Sequence, residues 1–159
     1  MSAPPRFALS CELRGHEQDV RSVSVTPTGE VVTASRDASV RVWAPAGPGP
    51  GYECRRTLLG HSHYVGAVAA NAGTVVSGSN DKHVIVWDAD AGTPARVLDG
   101  HTDVVSCVAV GDAGTLVSGS WDKYVPLLAR GRTGGMRAPS PFPVASCVSS
   151  AQGGTLTLV

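Results

Sequence analysis

The sequence predicts an all-β protein assembled from repeated antiparallel sheets, and three observations carry that prediction. First, Gly15-His16, Gly60-His61 and Gly100-His101 recur at spacings of 45 and 40 residues. Second, each Gly-His precedes two short apolar runs with period-two alternation, divided by turn residues. Third, the second run of each copy ends in the same polar turn, as VVTASRD, VVSGSND and LVSGSWD. A fixed period of about 40 residues is the mark of a repeat architecture. No stretch sustains a period of 3.6 residues, so helices are not expected.

Within each repeat the first run is Val20, Val23, Val25; then Val65, Ala67, Val68; then Val104, Val105, Cys107, Val108. A turn follows at Pro27 to Gly29, Asn71 to Gly73 and Gly111 to Gly114. The second run closes on Asp37, Asp81 and Asp122. In the first two copies a third run ends on Trp, as SVRVW to Trp43 and HVIVW to Trp87. The steps agree: His16 to Thr33 is 17 residues, His61 to Ser77 is 16 and His101 to Ser118 is 17. The breaker-rich PAGPGPG at Pro45 to Gly51 reads as the loop between the third and fourth strands of the first sheet.

Composition narrows the function classes. The chain of 159 residues has 42% apolar and 16% charged side chains, enough apolar content for a packed core. Thirteen basic residues balance thirteen acidic ones. Residues 1 to 124 hold all thirteen acidic but only ten basic side chains, a net of −3. Binding dominated by nucleic-acid phosphate or an anionic membrane is therefore not expected. No apolar run approaches the ~20 residues of a membrane helix, and MSAPPRFALS lacks the apolar centre of a secretory signal. Cys11, Cys54, Cys107 and Cys147 are scattered without CxxC, which fits a reduced, intracellular setting and no metal.

These residues resemble WD40 repeats, with Gly-His near the start and Trp, or Trp87-Asp88, near the end. The resemblance implies a β-propeller whose blades are four-stranded antiparallel sheets. A His, a hydroxyl, an Asp and a Trp would then link the strands of each blade. The sets are His16, Thr33, Asp37, Trp43 and His61, Ser77, Asp81, Trp87. The third copy holds His101, Ser118 and Asp122 but places Leu128 where Trp is due, with Pro126 inside the expected strand. A His-Ser-Asp trio also raises the reading of a hydrolase. Its recurrence in every repeat and the lack of GxSxG weigh against one, so no catalytic residue and no cofactor are expected.

The expected architecture is a partial propeller over residues 1–125, with repeats at about 15–43, 60–87 and 100–125. Phe7 to Leu13 is expected as a strand preceding the first repeat. Propellers have typically 4 to 8 blades, so three form an open arc with exposed apolar faces and edges. Residues 126–159 form a Gly/Pro/Ser-rich tail with three Arg, no Asp, Glu or Lys, and four of the eleven prolines. That composition reads as disorder. Its abrupt onset suggests an alternative or misread C-terminus, to be checked by sequencing the transcript across Tyr124.

RFALSCELRGHEQDVRSV, SRD…VRVWAP, GHSHYV, GSND and GTLVSGSWD are further similar to the N-terminal propeller of the phospholipase A-2-activating protein family. The similarity covers roughly residues 6 to 124. It implies a non-catalytic adaptor that binds ubiquitin or ubiquitinated proteins in ubiquitin-dependent catabolism and recycling, in the cytoplasm and also the nucleus. The valosin-containing AAA ATPase is implied as a partner only for a full-length relative. Candidate rim residues are Arg36, Asn80 and Trp121 before each turn Asp, with Asp19, Arg21 and Tyr64 beside the innermost strands. Val104 and Ser106 are their third-repeat counterparts. Trp121 reads either as an aromatic anchor or as packing against a next blade; His63 and His83 read as solvent-facing. The alternatives are a scaffold for another protein, or a truncated product without function.

Overall fold

A computed structural model describes residues 8–111, 115–125 and 127–128. Eleven strands form three antiparallel sheets, which are three blades of a propeller, and no helix occurs among the described residues. The first blade is β1 (Val20–Val25), β2 (Val31–Ser35), β3 (Ser39–Pro45) and β4 (Tyr52–Leu59), paired in chain order. The second is β5 (Val65–Asn71), β6 (Thr74–Ser79), β7 (Val84–Asp88) and β8 (Thr93–Leu98). The third is β9 (Val105–Val110), β10 (Leu116–Ser120) and β11 (Leu127–Leu128). Each meander is what alternating Val runs parted by Gly, Asp and Asn specify.

Both faces of the middle blade are covered, so its strands are apolar on either side. One core joins Val32, Ala34, Val40, Val42 and Leu58 of the first blade to Val65, Val68, Val75, Ile85 and Trp87 of the second. The next joins Ala67, Ala69, Val76 and Val84 of the second to Val105, Val108 and Leu116 of the third. Gly78 is required at that contact. A Cβ there would lie 2.5 Å from Val105 Cγ1, closer than side chains approach. Between the first two blades, the hydroxyls of Ser22 and Ser24 on β1 accept from the N–H groups of Val68 (3.2 Å) and Ala70 (3.1 Å). They satisfy edge donors of β5 that its own sheet leaves unpaired.

Two elements differ from the sequence reading. Ala8–Leu13 carries no strand, and Phe7, where the expected strand begins, lies outside the described residues. Alternation favours a strand, but a strand needs a ladder partner, and no described strand lies beside this segment. The third blade also extends past the expected boundary at residue 125. Leu127–Leu128, assigned to the tail, pair with β10 as Leu116↔Leu128 and Val117↔Leu127. The other middle strands pair with their third strands over four and five positions. Pro126 lacks the N–H a longer ladder would use. The remainder of the tail, Ala129 to Val159, lies outside the described residues.

Candidate functional site: a polar rim held by buried networks

The register places the polar residues of each blade identically. Trp43 lies opposite Val31, Trp87 opposite Val75 and Leu128 opposite Leu116. Leu128 thus occupies the register of the two tryptophans. In the first blade Trp43 Nε1–H donates to Thr33 Oγ1 at 2.8 Å, which lies 2.7 Å from His16 Nε2. His16 Nδ1 is 2.8 Å from Asp37 Oδ2. The second blade repeats this with Trp87 to Ser77 (2.8 Å), Ser77 to His61 (2.8 Å) and His61 to Asp81 (2.7 Å). The third keeps His101 to Ser118 (2.9 Å) and His101 to Asp122 (2.7 Å).

One assignment gives every hydrogen in the second blade an acceptor. The indole donates to Ser77, the Ser77 hydroxyl donates to His61 Nε2, and neutral His61 donates Nδ1–H to the carboxylate. Burial pushes the His61 pKa down despite the pull of Asp81, consistent with the neutral ring. Ser77 is fully buried and its oxygen holds the indole hydrogen. A solvent-borne substrate therefore cannot reach this trio as it reaches a hydrolase nucleophile.

Each carboxylate also pins two stretches of backbone. Asp37 accepts from the N–H of Glu17 and Ser39, Asp81 from Ser62 and His83, and Asp122 from Thr102 and Tyr124. Burial alone would raise all three carboxyl pKa values. The hydrogen bonds from backbone, His and, for Asp37, the Ser39 hydroxyl outweigh it and hold them below the usual carboxylate range.

A second repeated set escaped the sequence reading. Ser35, Ser79 and Ser120 are buried. Each accepts from the N–H of the turn Asp and donates to a carbonyl before the innermost strand: Gln18, His63 and Asp103. The signal was present as Ser-x-Asp in SRD, SND and SWD. Together the His, the Ser and the Asp lock the turn onto the loop that opens the innermost strand.

That lock sets the rim. The N–H of the residue before each turn Asp donates across to the loop: Arg36 to the Asp19 carbonyl (2.9 Å), Asn80 to Tyr64 (2.9 Å) and Trp121 to Val104 (3.0 Å). Beside these pairs every innermost strand carries a register shift, at Arg21, Gly66 and Ser106. Such bulges re-aim side chains at a sheet edge. Asp19, Arg21, Arg36, Tyr64, Asn80 and Trp121 therefore stand at one end of the three sheets.

Contacts among them are unequal. Arg36 Nη1 pairs with Asp19 Oδ2 at 3.2 Å, and its guanidinium lies 5.6 Å from the Tyr64 ring centre, bridging the first two blades. The His63 ring packs at a tilt against Tyr64, with ring centres 4.4 Å apart and planes at 59°. His63 thus supports the rim as well as facing solvent. His83, 43% exposed, pairs with Asp81 and, at 3.1 Å, with Asp99. Arg21 is exposed. Trp121 is 68% exposed, and Tyr124 on the same turn is 45% exposed. Among the described residues no group of three or more His, Cys, Asp or Glu could hold a metal ion.

Three matches to the WD domain, G-beta repeat family span residues 7–44, 52–88 and 92–127. The chain belongs to the WD40-repeat family. Its sheets are offset from its repeats, because β4 and β8 open the second and third matches yet pair with the preceding blade. WD40 domains are generally non-catalytic scaffolds for protein interaction, and this chain carries that scaffold. It is 38% identical over 115 residues to phospholipase A-2-activating protein of Xenopus laevis, across 66% of this chain and 14% of that protein. It is 37% identical over 107 residues to nuclear distribution protein PAC1 of Arthroderma otae, across 59% of this chain and 23% of the relative. Transducin-like enhancer protein 2 of Mus musculus is 31% identical over 112 residues, 70% of this chain and 14% of that protein. The chain thus spans less than a quarter of the length of each of these relatives.

Proposed function

We propose that this WD40 chain is an adaptor that binds ubiquitin, or ubiquitinated proteins, through its rim, in ubiquitin-dependent protein catabolism and recycling. The similarity to phospholipase A-2-activating protein supports the reading. The observation that carries it is Trp121, a large aromatic ring left mostly in water on a rigid turn. An exposed, pre-positioned Trp is the residue type that most often dominates a protein interface. Ubiquitin offers a small apolar patch ringed by basic charge. Trp121 and Tyr64 supply apolar cover, and Asp19 supplies negative charge held in place by Arg36. Asn80 adds hydrogen-bonding groups and Arg21 reaches the border of the site. A small interface of this kind binds weakly and transiently. We place the adaptor in the cytoplasm and nucleus, and recruitment of the valosin-containing AAA ATPase is left to longer relatives. Similar identity to nuclear distribution protein PAC1 favours the second reading, in which the same rim serves another protein.

Titration of isotope-labelled ubiquitin, followed by NMR, tests this. Trp121→Ala should weaken binding by about 1–2 kcal/mol while leaving the fold intact. Unchanged titration curves would remove Trp121 from the site, and no shifts with the unaltered protein would transfer the rim to the second reading.

A further inference from the structure

A fourth copy of the inner half of the repeat stands in the sequence beyond the described residues. VASCVSSAQGGTLTLV (Val144 to Val159) aligns without a gap on VVSCVAVGDAGTLVSG (Val104 to Gly119), and seven of the sixteen residues are identical. The offset is 40 residues, the same as from Gly60-His61 to Gly100-His101. A strand pattern that recurs at the established period marks a repeat. The register of the sheets gives an independent count. Trp43, Trp87 and Leu128 hold one position in their blades. From Trp43 to Tyr64 is 21 residues and from Trp87 to Val104 is 17, where Tyr64 and Val104 each open the next inner strand. From Leu128 to Val144 is 16. The four prolines and three arginines of the tail all precede Val144, so no proline interrupts a ladder in the segment itself.

The third blade has a side that such a copy fits. Val108, Val110 and Leu116 turn toward the second blade. Alternation puts Ala109, Val117 and Gly119 on the opposite side. They are the counterparts of Ala69, Val76 and Gly78, on the side of the second blade that receives Val105, Val108 and Leu116. Val117 is only 6% exposed and Ala109 is half-buried, whereas β1 of the first blade leaves Val20, Val23 and Val25 54%, 63% and 62% exposed. Yet β10 packs chiefly on β9 and β11 of its own sheet, and no fourth sheet occurs among the described residues.

We propose that Val144 to Val159 form the two inner strands of a fourth repeat and cover this side of the third blade. Ala145, Val148 and Leu156 take the places of Val105, Val108 and Leu116, and meet Gly119, Ala109 and Val117. Val144 then stands beside Trp121 as Tyr64 stands beside Arg36, which adds an apolar position to the rim whatever the rim binds. The copy departs from the others in its polar residues. Pro141 and Leu158 hold the positions of the His and the buried hydroxyl, so apolar burial and the strand ladder hold it in place of that network.

NMR of the full chain with labelled methyl groups tests this. Nuclear Overhauser contacts should run from the methyls of Val148 and Leu156 to those of Ala109 and Val117. Amides of Val144 to Ser150 and of Leu156 to Leu158 should exchange at least about tenfold more slowly than in an unstructured chain. Val148→Asp should abolish both the contact of Leu156 with Val117 and the protection, while contacts between the first two blades persist. Exchange of the whole segment at the unstructured rate would overturn the proposal. Protection without contacts to Ala109 and Val117 would overturn it too, as would a Val148→Asp chain that keeps both contact and protection. If Val148→Asp fails to fold, the contacts and exchange rates of the unaltered chain decide alone.

Discussion

The second and third blades share a His, a buried hydroxyl and a turn Asp at nearly the same distances, yet only the second has the indole that completes the chain. His61 and His101 sit 2.8 and 2.9 Å from their serines and both 2.7 Å from their carboxylates. Trp87 then ties β7 to Ser77, whereas Leu128 has no donor to offer. Among the described residues, the second blade has a fourth strand and five pairs between its middle and third strands, and the third blade has two such pairs. The comparison separates two jobs. His, Ser and Asp fasten the turn to the innermost strand and so build the rim. Trp fastens the outer half of the blade. The His, Ser and Asp bonds of the third blade form without an indole in the set.

The sharpest way to break the comparison is Trp87→Ala, which empties a core position and removes the donor to Ser77. It should cost about 3–5 kcal/mol, read as the shift in a urea midpoint. Asp81→Ala comes next. It strands the N–H groups of Ser62 and His83 and the His61 ring, for a loss of about 2–4 kcal/mol. Asp122→Ala should cost less, because fewer strands depend on that turn.

Acidity should act on the three blades in two stages. The folded-state pKa of His61 lies below its ordinary value of 6.5, so its contribution is complete above that pH. It is lost as pH falls from 6.5 toward the folded pKa, because the unfolded chain takes up the proton first. Asp37, Asp81 and Asp122 are likewise lowered from 3.8, so their contributions fade only below about that pH. Denaturation midpoints measured between pH 8 and 3 should therefore decline in two steps, and His61→Gln should abolish the upper one.

Leu128→Trp sharpens the contrast from the other side. If the indole reaches Ser118, the substitution should stabilise the third blade by about 1 kcal/mol and slow amide exchange along β10. The smallest effect concerns the turns. Ala38, Lys82 and Lys123 follow the turn Asp with φ of 64°, 74° and 72°. Lys82→Gly should range from neutral to about 1 kcal/mol stabilising, since relief of the left-handed strain is partly offset by unfolded-chain entropy. Thermal melts suffice to measure it.

Much of this was legible in the sequence because it is local. The Val runs, the Gly and Asp turns and the Gly-His spacing write strand, turn and repeat within a few residues. The Trp gap at Leu128 was visible for the same reason. What escaped depends on partners distant in the chain. Ala8–Leu13 alternates like a strand, but pairing is decided by what lies alongside. The stack of Arg36 on Tyr64 joins two blades and has no pattern of its own. Ser35, Ser79 and Ser120 repeat plainly, yet their role appears only once Gln18, His63 and Asp103 are brought near.

Two tryptophans are buried fasteners, and the third stands on the surface. Hydrogen exchange of the three indole N–H groups, followed by NMR, tests it directly. Trp43 and Trp87, almost wholly buried and bonded to Thr33 and Ser77, should exchange slowly, and Trp121 should exchange at the rate of an indole in water. Equal protection of all three, or rapid exchange at Trp87, would contradict the account.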